Sequence, residues 1–106
     1  MNLDDHAARA GLSAGQYASL LEMFVRATEN DMTRLRSALS ASQLERAAEI
    51  AHHIKGAAFS LELEDISEAA KTLEARARTG VCPDAAELAD RLSAGLASVR
   101  RILPGT

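Results

Sequence analysis

One short stretch of the chain has residue types and spacings suited to chemistry: Ala51-His52-His53-Ile54-Lys55-Gly56-Ala57-Ala58. With a helical period, His52, Lys55, Gly56 and Phe59 fall at i, i+3, i+4 and i+7 and share one side. An imidazole with the ordinary pKa of about 6.5 is mostly neutral at pH 7, so it is a nucleophile that needs no dedicated base. A lysine one turn away can pair with anionic phosphoryl oxygens. A glycine inside a helix costs about 1 kcal/mol relative to alanine. A solvated face has little use for that cost, whereas a face that another molecule must approach closely does. Phosphoryl transfer depends mainly on positioning and charge stabilisation. One histidine and one cation therefore make half of such a site, with the other half expected from a partner.

Other chemistries find less support. His52 and His53 are adjacent, so they point about 100° apart on a helix and cannot chelate one ion as an i, i+4 pair does. His6 is remote in sequence, and no metal site is expected. Gly56 is isolated and follows no strand pattern, which excludes a phosphate-binding loop. No nucleophile elbow accompanies any serine. His53 projects off the Lys55–Gly56 face and reads as structural or neutral. Ala48, one turn before His52, reads as a small docking position. Phe59 either faces a partner or folds back into the core. Arg34 and Arg36 read as surface charge.

The elements that must hold this stretch follow from periodicity. Ala47, Ala51, Ile54, Ala58 and Leu61 recur at spacings of four, three, four and three, the apolar stripe of an amphipathic helix. Ser42-Gln43-Leu44-Glu45 reads as a capping box opening this helix, which runs to about Ser60. Upstream, Ser13 and Gln16 form another capping box. Tyr17, Leu20, Leu21, Phe24, Thr28, Met32, Leu35 and Leu39 then predict one long helix over about 13–40, with Asn30-Asp31 as its weak point. Met1 to Gly11 is a short helical lead-in. Downstream, Asp65 with Glu68 is expected to cap a third helix, whose inward positions are Ile66, Ala69, Ala70, Leu73 and Ala77, and Gly80 stops it. Pro83 and Asp84 suit the first turn of a last helix with Ala85, Leu88, Leu92, Leu96, Val99 and Leu103 inward, ended by Pro104. The short links predict an all-α fold: an antiparallel up-down four-helix bundle with a short N-terminal helical extension, one domain over 1–106.

Composition agrees and narrows the function. The chain has 106 residues, enough for one modest core. Hydrophobic residues reach 47% but aromatics only 3%, so alanine must build much of a closely packed core. The net charge of −3, with no basic stripe, argues against nucleic-acid binding. A lone Cys82 allows no intrachain disulfide. No apolar run reaches the ~18 residues of a membrane span, and Asp4 and Asp5 sit where a signal peptide is basic. A cytoplasmic monomer is expected.

The run from Ala51 to Ala58 resembles the A-H-x-[LI]-K-G-[SA]-[SA] signature of histidine-containing phosphotransfer (HPt) domains. The likeness extends to Tyr17, Leu20, Leu21, Phe24, Asp31, Leu35 and Leu39 before it, and to Ala70, Leu73, Glu74 and Arg78 after it. It implies a four-helix bundle that carries a phosphoryl group on His52, with Lys55 as charge partner and Gly56 as the clearance position. It implies receiver domains of a hybrid histidine kinase and of a response regulator as partners, with Mg²⁺ on the receiver and no cofactor of the chain's own. Such a chain is a phosphoryl carrier, not an autonomous kinase or phosphatase. The alternative is a helical docking protein that binds a receiver or kinase without being phosphorylated. One departure stands out: many members have glycine after the leucine that follows the histidine helix, where this chain has Glu62.

Overall fold

The computed structural model describes residues 3–103. Among these there are five helices: α1 (Leu3–Arg9), α2 (Ala14–Ser40), α3 (Leu44–Ser60), α4 (Glu64–Arg78) and α5 (Ala85–Ile102). α2 packs on α3, α3 on α4, α4 on α5, and α5 back on α2, while α1 lies against α2. The four long helices thus enclose one core. No described helix is long and apolar enough to cross a membrane.

Most inward positions expected from periodicity are buried; Leu20, read on the Tyr17–Phe24 stripe, is instead 40% exposed, and Leu39, Leu61 and Ala85 are half-buried. Tyr17, Leu21, Leu35, Ile54, Leu73, Leu92 and Val99 are the largest side chains sealed from solvent. Between them lie Ala47, Ala51, Ala58, Ala70 and Ala89, also sealed. Alanine at a helix contact lets the two backbones approach, and dispersion over many short contacts replaces the bulk that aromatic residues supply elsewhere. Gly95 marks the closest approach: a Cβ there would lie 2.6 Å from Ile66 Cγ1, so only glycine lets α5 meet α4 at that point.

α2 is continuous through Asn30-Asp31, where Asp31 takes Arg34 as an i, i+3 ion partner at 3.4 Å. Its N-terminus carries the expected box, with Ser13 Oγ accepting from Gln16 N–H and Gln16 Oε1 accepting from Ser13 N–H. The other two expected caps are not formed. α3 is preceded by Gln43 and α4 by Leu63, neither with a side-chain cap. Ser42 is not a cap because the preceding turn needs it in the left-handed region, at φ 56°. Asp65 already lies within the first turn of α4 beside Glu64, where a carboxylate favours the helix dipole without capping it. Pro83 and Asp84 form the turn before α5, which starts at Ala85, and Pro104 lies outside the described residues.

Each of the four turns contains one left-handed residue: Gly11, Ser42, Glu62 and Gly80, at φ 74°, 56°, 60° and 82°. In the turn after α3, Leu63 N–H donates to Ala58 O at 2.9 Å, the long bond of a Schellman-type helix end. That geometry favours glycine, and Glu62 adopts it at a steric cost of about 1–2 kcal/mol. The departure from glycine noted in the sequence therefore falls on the one residue of this turn that needs positive φ. Glu62→Gly is expected to raise stability by about 0.5–1 kcal/mol, less than the full relief because glycine has more freedom to lose on folding. Thermal unfolding should show a midpoint a few degrees higher, and an unchanged or lower midpoint would mean the strain is already relieved by neighbours.

Candidate functional site

His52 lies in the third turn of α3, flanked on one side by α4. The sequence of α4 explains what meets it there. Ile66, Ala69, Ala70, Leu73 and Ala77 form the apolar stripe, and Glu74 falls on its edge, four residues after Ala70. Glu74 is consequently a buried carboxylate, only 8% exposed. A buried charge without partners is strongly destabilising, so its neighbours matter.

Three side chains converge on Glu74. His52 Nδ1 lies 2.9 Å from Glu74 Oε2. Lys55 Nζ lies 2.8 Å from Oε1. Arg78, one turn further along α4, donates to Oε2 through Nε at 3.1 Å and Nη2 at 2.9 Å. Burial alone would raise the pKa of Glu74. The hydrogen bonds and charges of Lys55 and Arg78, with His52 behind them, outweigh it and hold the pKa down at about 2. Glu74 is therefore ionised at neutral pH and acts only as an acceptor. His52 Nδ1 must then be the donor, and Nε2 of the neutral ring carries the lone pair. With its side chain 62% exposed, His52 has this arrangement at the protein surface.

The chain matches the family model described as Hpt domain over residues 19–102. It belongs to the Hpt domain family. Membership gives it a histidine phosphotransfer role in phosphorelays. No curated protein and no solved structure matches the chain.

The other sequence-selected positions of this Hpt domain separate clearly. Gly56 is exposed, and a Cβ added there would meet nothing within 4 Å, so internal packing does not require glycine. Phe59 is 76% exposed and does not fold into the core. It borders a cleft with Glu62, Leu63, Glu64, Ser67 and Glu68. Ala48, expected to be a docking position, is fully buried and offers no surface to a partner. It precedes His52 by one turn on α3, so the flank that carries His52 is covered at that level. His53 points the other way, into a cleft with Asp31, Arg34, Arg46, Glu49 and Ile50, between α2 and α3. Arg34 pairs with Asp31, and Arg36 reaches α5 at Asp90 and Ser93.

In the sequence, Glu74 and Arg78 stand out only as part of the family likeness, with no role of their own. A signal was present: a carboxylate on the apolar stripe of α4, with an arginine at i+4. Because the pKa of Glu74 is lowered on folding, its ion pairs contribute stability above the unfolded value of about 4.5 and lose it as pH falls toward 2. Its partners are partly solvated, so each pair contributes about 1 kcal/mol or less. Glu74→Gln should therefore lower stability near pH 7, with the gap from the parent closing as pH drops below about 4.5. Denaturant unfolding between pH 3 and pH 7 measures the gap, and a gap that widens toward acid would contradict the assignment.

Proposed function

We propose that this Hpt domain carries a phosphoryl group on His52 between receiver-domain aspartates, one on a hybrid sensor kinase and one on a response regulator. The observation that supports it best is the His52 Nδ1–Glu74 contact at 2.9 Å, which leaves Nε2 as an outward-facing nucleophile. We also infer that the four long helices run up and down, each antiparallel to the next. The three-residue turns at 41–43 and 61–63 and the packing of successive helices favour that arrangement.

In this mechanism, Nε2 attacks the phosphorus of a receiver's aspartyl phosphate in line. The N–P bond forms as the O–P bond breaks, and the aspartate carboxylate leaves with the bonding pair. The proton on Nδ1 stays in place, so the phosphorylated ring bears a positive charge. Glu74, already ionised and aimed at Nδ1, offsets that charge without reorganising. Passing the group onward reverses the step, and the ring leaves as neutral imidazole with Nδ1–H intact. Lys55 is the cation that can turn from Glu74 to the phosphoryl oxygens. Gly56, one turn beyond His52, gives the receiver clearance, and exposed Phe59 offers it an apolar contact. A divalent cation, if bound on the receiver, would supply further neutralisation of phosphoryl charge there. Glu74, the carboxylate beside His52, is already used by His52, Lys55 and Arg78. On this reading the chain is a carrier, with no kinase or phosphatase activity of its own.

Label transfer from a receiver charged with acetyl phosphate tests the assignment. His52→Gln should accept no label while changing stability by less than about 1 kcal/mol, and His53→Gln should keep most activity. Label retained by the His52 variant would mean another residue is phosphorylated, and no label on the parent would favour a docking protein instead.

Gly56 gives a separate test, because its open surroundings divide docking from folding. Gly56→Glu should fold as well as the parent, since helix propensity improves by up to about 1 kcal/mol and nothing is displaced. It should nevertheless slow transfer at least about tenfold, because a displacement of about 1 Å at the reacting atoms can cost about a hundredfold. A stable variant with full transfer rate would remove the clearance role.

A further inference from the structure

Glu74 must do the same job in two states, and this constrains what holds it. Before transfer, Lys55 binds Oε1, while Arg78 and His52 share Oε2. In the carrier reading, Lys55 moves toward the incoming phosphoryl group. Oε1 then loses its partner, and the carboxylate is free to turn about its side-chain torsions unless something else restrains it. Among the contacts Glu74 makes on the protein, only Arg78 remains besides His52 itself. Its guanidinium places two N–H groups, at 3.1 and 2.9 Å, on the same oxygen that faces His52 Nδ1. Both N–H groups converge on that one oxygen and pin it beside Nδ1, whereas Lys55 holds only the other oxygen. Arg78 stands at i+4 from Glu74 on α4, so the grip does not depend on how α3 moves.

We propose that Arg78 is a positioning residue of the phosphotransfer site, resting on the carrier reading above. It holds Glu74 aimed at His52 Nδ1, and so keeps Nε2 as the nucleophile, while Lys55 is engaged with the phosphoryl group. Arg78 acts through Glu74 and does not itself need to touch the transferred group.

The test combines ring spectroscopy with a double-mutant cycle in the full chain. Nitrogen-15 NMR of the neutral His52 ring should show mainly the Nδ1–H tautomer in the parent. In Arg78→Ala it should shift toward the Nε2–H form that imidazole favours in water, and Arg78→Lys should show an intermediate population. Single-turnover transfer from a charged receiver should fall about three- to tenfold in Arg78→Ala, with part of the rate recovered in Arg78→Lys. In a Glu74→Ala background, Arg78→Ala should change the rate by less than about twofold, because its route of action is already gone. Circular dichroism on the same samples separates loss of fold from loss of aim. An unmoved tautomer in a folded Arg78→Ala protein overturns the proposal, as does an equal loss of rate with and without Glu74, which would place Arg78 on the phosphoryl group directly. A parent that accepts no phosphoryl group defeats the carrier reading itself, a result distinct from a working parent whose Arg78 variant is indifferent.

Discussion

A single buried carboxylate sets the terms for the rest of the site. Glu74 sits where α3 and α4 meet, only 8% exposed, and cannot be ionised there without compensation. Two cations and a ring N–H supply it. Because Lys55 and Arg78 outweigh burial, the carboxylate stays charged and accepts from His52 Nδ1. That bond determines which ring nitrogen carries the lone pair. One electrostatic requirement of folding thus becomes the chemical polarity of the imidazole.

The helices serve this arrangement through their small side chains. Ala48, Ala51, Ala70 and Ala77 are buried small side chains on α3 and α4, two packed helices that meet closely enough for a histidine and a lysine on one to reach a carboxylate on the other. Bulky residues at those positions would separate the helices and lengthen the His52 and Lys55 contacts to Glu74. At the far end of α3, the Tyr17 hydroxyl donates to the Leu61 carbonyl, tying the end of the histidine helix to α2. Burial, with Glu62 nearby, raises the pKa of that hydroxyl, which remains a donor. The face of α3 that carries His52 is left open, with Gly56 bare and Phe59 exposed.

Much of this was legible in the sequence because helical periodicity reports directly on burial. The stripes of α2 to α5 predicted most of the core, with Leu20 exposed against expectation, and His52, Lys55 and Gly56 were visible as neighbours on one face. Two caps were misread at Ser42 and Asp65, because the serine is taken up by a left-handed turn and the aspartate already lies inside its helix. Ala48 was misread because periodicity places a residue on a flank without saying whether another helix covers that flank. Glu74 escaped a role for a related reason. Its partners on α3 lie about twenty residues away, and only packing brings them together.

If Glu74 directs the chemistry as proposed, Nε2 of His52 is the phosphoryl-bearing atom. Phosphorus-31 NMR of the protein after charging by a phosphorylated receiver tests it most directly, since the two phosphohistidine isomers differ in shift and in coupling to nitrogen-15. One resonance is expected, from Nε2-phosphohistidine, absent from the His52→Gln protein. A phosphoryl group on Nδ1, or on any residue other than His52, would contradict it.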